Sequence, residues 1–144
     1  MRKLGLLLIV VLLALSVFDG ASARRSSGGA SSAAVRVYTD GQGRQIVLCQ
    51  GRGNGHRGDW GWLHIKGKHI NGVWYDGGRV TTFPEAFGTR SDGQVQSLIG
   101  SALMQSPTLD HGRRQYRWRP SGCRYQVLVV VSSDNQIITS YPQR

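Results

Sequence analysis

Tyr125-Gln126-Val127-Leu128-Val129-Val130-Val131, then Ser132-Ser133-Asp134-Asn135, then Ile137-Ile138-Thr139-Ser140-Tyr141 is the stretch that decides the fold. The first run is almost wholly apolar, which predicts a strand buried on both faces. The polar quartet predicts a turn. Strand period two in the last run puts Ile137, Thr139 and Tyr141 on one face and Ile138 and Ser140 on the other. Upstream, residues 115–119 also alternate, with Tyr116 and Trp118 opposite Gln115, Arg117 and Arg119. Three strands thus close the chain as an antiparallel sheet.

Working back from that sheet, the period changes. Val95, Leu98, Ile99, Ala102 and Leu103 recur at the spacing of one helix face, with Ser91 or Asp92 as cap and Pro107 as stop. Residues 35–38 and 45–49 are strand-like around Asp40-Gly41-Gln42-Gly43, which reads as a hairpin. Residues 51–59 carry four glycines and read as a surface loop, since a phosphate cradle needs a strand and a helix on its flanks. The fold class is α+β, with an N-terminal hairpin and helical segment packed on a C-terminal antiparallel sheet.

The N-terminus reads differently. Arg2 and Lys3 precede an apolar stretch from position 4 to 17, and Ala21-Ser22-Ala23 offers a small-residue cleavage site. Residues 1–23 are therefore expected to be a signal peptide, with the protein secreted. Residues 24–34 are expected to be a flexible Ser/Gly/Ala leader, and residues 35–144 a single domain. No other run is long and apolar enough for membrane insertion, and a monomer is expected. Cys49 and Cys123 are the only cysteines. In an oxidising compartment an isolated pair predicts one disulfide, Cys49–Cys123.

Beyond residue 23 the chain has 16 basic against 7 acidic side chains, including fourteen arginines and a single glutamate, Glu85. That balance favours nucleic acid, cell-wall anions or a membrane surface as partner. A long basic amphipathic helix is missing from the pattern, which disfavours a membrane-active cationic peptide. His64 and His69 stand five apart in this carboxylate-poor setting. Two imidazoles suit proton transfer at a phosphodiester, one accepting a ribose hydroxyl proton and the other protonating the leaving oxygen. Alternatively, His64 is a core histidine among Trp62, Leu63 and Ile65, and His69 a solvated loop residue. No third ligand stands near the pair, so neither a metal nor another cofactor is expected. Trp74, with Trp60, Trp62 and Tyr75, could stack bases.

The segment His64-Ile65-Lys66-Gly67-Lys68-His69, the glycine-rich turn at 72–78, Thr81-Thr82-Phe83-Pro84 and the ending Ile137-Ile138-Thr139-Ser140-Tyr141-Pro142 resemble the bacterial EndoU ribonuclease domain. The likeness covers residues 62–142 and extends to the wider group of barnase- and colicin-like ribonuclease toxins. It implies helices on a four- or five-stranded antiparallel sheet. It further implies a metal-independent endoribonuclease that cleaves RNA by 2′-hydroxyl attack and leaves a 2′,3′-cyclic phosphate. By position, His64 and His69 would be base and acid, and Thr139 and Tyr141 would hold the scissile phosphate. The family's lysine before the Thr-x-Phe-Pro run is replaced by Val80. Arg79, one residue earlier, would supply the cation, or else Lys66, Lys68, Arg117 or Arg119 would. Such a protein would serve as a toxin, with a small acidic immunity or inhibitor protein as partner, or as a digestive nuclease. The alternative is a non-catalytic basic module that binds nucleic acid or cell-wall anions.

Overall fold

The computed structural model describes residues 31–53, 58–73 and 78–144. β1 (Ser31–Thr39) and β2 (Gln45–Gly51) form an antiparallel hairpin. Hairpin pairing begins at Ser31, opposite Gly51, within the stretch expected to be leader. Toward the C-terminus, β3 (Thr108–Asp110), β4 (Arg113–Trp118), β5 (Gln126–Val131) and β6 (Ile137–Gln143) form a four-stranded antiparallel sheet in that order. The three longer strands lie where the alternation and the apolar run predict them. β3 is three residues long, too short to leave a periodic signal.

Helix α3 (Asp92–Leu103) is capped by Ser91, whose hydroxyl accepts from the Gln94 amide at 3.3 Å. It buries Val95, Ile99, Ala102 and Leu103 against the sheet, where they meet Tyr116, Val127, Val129 and Val131. Each buried Val, Ile or Leu side chain among them is worth about 1.5–3 kcal/mol. Tyr38 of β1, Ile46 and Leu48 of β2, and Trp62, Ile65 and Phe83 belong to the same core.

A polar hub ties the hairpin to this core. The Asp40 carboxylate accepts from the amides of Gln42 (3.0 Å) and Arg44 (2.9 Å), from Arg44 Nε (2.8 Å) and from the Tyr116 hydroxyl (2.7 Å). Burial would raise its pKa, but these donors outweigh burial and hold it at about 2. The next residue must be glycine: a Cβ on Gly41 would sit 2.4 Å from the Met104 carbonyl oxygen.

Two expectations are corrected. Ile137 does not share a face with Thr139 and Tyr141. Val130 pairs with Thr139 while Val131 pairs with Ile137, so Ile138 is the extra residue of a β-bulge. Ile137 therefore joins the core, and Thr139 and Tyr141 turn to the opposite face. Cys49 and Cys123 are both free thiols, not a disulfide. Cys49 lies near the β5–β6 turn, since Val47 N donates to Asn135 O and the Asp134 charge acts on the Cys49 thiol. Cys123 precedes the other end of β5. Six strand residues span about 20 Å, and a disulfide needs Cα atoms within about 7 Å.

Candidate active site

The two histidines come from one irregular helix. α1 (Gly61–His64) begins at Gly61, with φ of 76°, where a Cβ would fall 2.8 Å from Cys49 O. Only glycine allows the helix to start this close to β2. Buried Trp62 and Ile65 anchor it. The chain then widens into a π-helical turn, Ile65–Ile70, with the Asn71 amide donating to Lys66 O at 2.9 Å. Residues five apart on an α-helix diverge by about 140°, whereas the i→i+5 bonding of a π turn brings such residues into line. The His64 and His69 rings accordingly meet edge-on, with centroids 5.3 Å apart.

His69 also stacks on Tyr141, at 5.3 Å and 28° between ring planes. The two rings and Tyr141 line a cavity of about 340 Å³ together with Lys68, Val80, Thr81, Thr139 and Pro142. Thr81 is set there by the element that follows it. Helix α2 (Phe83–Phe87) opens with a capping box: Glu85 accepts from the Thr82 amide at 2.9 Å, and the Thr82 hydroxyl accepts from the Glu85 amide at 3.4 Å. The Thr-x-x-Glu spacing was a readable sign of this helix start.

Two atoms of the cavity-lining residues stand out. His69 Nδ1 and Thr139 Oγ1 are buried with no hydrogen-bond partner among the described residues. Each unmatched group costs about 1–3 kcal/mol; Thr89 Oγ1 and Arg114 Nε, away from the cavity, are unmatched in the same way among the described residues. His69 is 5 % exposed. Its burial, then the charges of His64 and Lys68, push its pKa down to about 3. His64 is half-buried, and burial followed by the Lys68 charge lowers its pKa, with the Asp59 carboxylate acting in the opposite direction. Asp59 is buried and lies 3.3 Å from Arg52 Nε. Nothing in its glycine-rich neighbourhood pointed to it in the sequence.

The cavity gathers His64, His69, Thr139 and Tyr141, with Lys68 as its cation. The other sequence candidates lie elsewhere. Arg79 is 91 % exposed at its side chain and pairs with Glu85 at 3.5 Å, and its neighbour Val80 lines the cavity. Lys66 bonds Asp92 at 2.8 Å, which ties the π turn to the start of α3. Arg117 belongs to β4 and Arg119 lies just past its end, and β5 separates β4 from β6. Trp74 and His56 lie outside the described residues, and His111 is exposed beside Asp110.

Among the described residues no three His, Cys, Asp or Glu side chains gather, and no helix is long and apolar enough to cross a membrane. No protein-family model and no curated protein matches this chain.

Proposed function

We propose that the chain is a secreted endoribonuclease that works without a metal ion and leaves a 2′,3′-cyclic phosphate. One observation carries the reading: two imidazoles 5.3 Å apart, a hydroxyl, a tyrosine and a lysine converge on one cavity. One imidazole removes the proton from the ribose 2′-hydroxyl, whose oxygen attacks phosphorus. The other gives a proton to the departing 5′-oxygen. Lys68, with the Thr139 and Tyr141 side chains, would stabilise the extra negative charge of the pentacoordinate phosphorus.

The electrostatics favour an order of roles opposite to the one the family resemblance implies. Burial and the Lys68 charge hold both rings toward the neutral form, His69 more strongly; His64, the more exposed ring with a carboxylate near it, keeps a proton more readily of the two. Export, action as a toxin or a digestive nuclease, and a small acidic inhibitor belong to the same proposal. The second reading, a basic binding module on the same fold, draws on Arg79 pointing to solvent and Val80 standing at the expected cation. Incubation of the purified chain with RNA in excess chelator separates the two. The proposal expects fragments ending in 2′,3′-cyclic phosphate; RNA that is bound and stays intact would select the binding module.

A further inference from the structure

We infer that the sheet face opposite α3, which carries Thr139 and Tyr141 of the cavity, is the path of the RNA strand flanking the cleaved bond, with Arg117 as its main phosphate contact. The inference rests on the ribonuclease reading for the direction of the strand. The register carries it. Tyr116, Val127, Val129 and Val131 occupy the core face, so their neighbours occupy the other. There Arg117 pairs with Leu128, and Leu128 with Tyr141; Gln115 pairs with Val130, and Val130 with Thr139. Arg117 thus stands in one row with Tyr141, two strand spacings or about 10 Å away, on the face that Thr139 and Tyr141 share.

Charge fits that occupant. β4, β5 and β6 contain no Asp or Glu, while β4 adds Arg113 to the same face. The one carboxylate paired across to that face is Asp110 of β3, at the end away from Tyr141 and bonded to Gln115 at 2.6 Å. Arg117 donates to Thr108 Oγ1 at 2.9 Å and to Gln115 Oε1. Those bonds draw the guanidinium toward β3, on the side of β4 away from Tyr141, and leave three of its five donors. The strand must be single, because in-line attack by a 2′-hydroxyl needs a backbone unwound from A-form geometry. Unstacked RNA is also the form that side chains on a sheet can read.

The test uses the purified chain and a ten-nucleotide 2′-O-methyl RNA, which lacks the nucleophile and cannot be cleaved. Arg117→Gln should weaken binding about tenfold at low salt and flatten the log–log salt slope by about 0.7. Arg113→Gln/Arg117→Gln should go further. Arg90→Gln, exposed on the helical layer, should stay within twofold of the parent. On cleavable RNA, Arg117→Gln should raise KM and shrink the advantage of a ten-nucleotide strand over a dinucleotide by about tenfold. Wild-type affinity and slope in both Arg117 variants would overturn the inference, as would equal affinity for an RNA duplex. A parent chain that binds through Arg117 but cuts nothing would instead sink the ribonuclease reading and leave this path standing.

Discussion

Asp40 at the hairpin turn accepts hydrogen bonds from Gln42, Arg44 and Tyr116, whereas His69 in the π turn and Thr139 beside it each bury a polar atom with no partner among the described residues. Both regions take polar groups out of water. In the first, every donor meets the carboxylate, so the cluster stabilises the fold by joining β1–β2 to β4. In the second, two polar atoms of cavity-lining residues are buried without a partner among the described residues, at a local cost in stability. Two buried clusters of similar size can thus be told apart by how completely their hydrogen bonds are matched.

Breaking the open region should affect chemistry most. Lys68→Met should lower kcat about 100-fold, the order seen when one charge-stabilising donor is lost. It should also move the high-pH limb of the rate upward, because the Lys68 charge lowers the pKa of both rings. Steady-state kinetics across pH reads both effects. Thr139→Val should cost about tenfold in rate while leaving the melting temperature unchanged or higher, since it removes an unmatched hydroxyl.

Breaking the matched region should affect stability. Asp40→Ala leaves the Tyr116 and Arg44 donors unpaired and should cost about 2–3 kcal/mol in denaturant unfolding. Acid melts sharpen the contrast. The His69 pKa is depressed in the folded state, so the unfolded chain binds the extra proton and stability falls as pH drops from about 6.5 toward about 3. The Asp40 pKa is depressed too, so its contribution is complete above about 4 and is lost as pH falls toward about 2. His69→Leu should flatten the upper window only, and Asp40→Asn the lower only. Cys123→Ser should have the smallest effect, within about 0.5 kcal/mol; a larger loss that reductant reproduces would mean that the thiols pair.

Legibility in the sequence followed the physics of each signal. Residues 126–131 declared a central strand because apolarity on both faces has few other causes, and Val95, Ile99 and Leu103 declared α3 through their period. The π turn left no such mark: Trp62, Ile65 and His69 stand at i, i+3 and i+7, the spacing of an ordinary α-helix face, and only the wider turn brings His64 toward His69. The bulge at Ile138 exists only relative to β5, so alternation along β6 put Ile137 on the wrong face while grouping Thr139 with Tyr141. The pairing of Cys49 with Cys123 failed for a similar reason, because their separation is set by the length of β5 between them. Charge balance showed that cations are abundant, but only the backbone path decided that Lys68 reaches the cavity and Arg79 does not.

His69→Leu, assayed for RNA cleavage in chelator and for melting temperature at pH 7 on the same sample, tests the central claim most directly. Leucine fills the site without the unmatched Nδ1, so the account predicts a rate lower by about 10²–10⁴ with a melting temperature equal to or above that of the parent. Wild-type cleavage in this variant, or a rate loss that only tracks a fall in melting temperature, would contradict it.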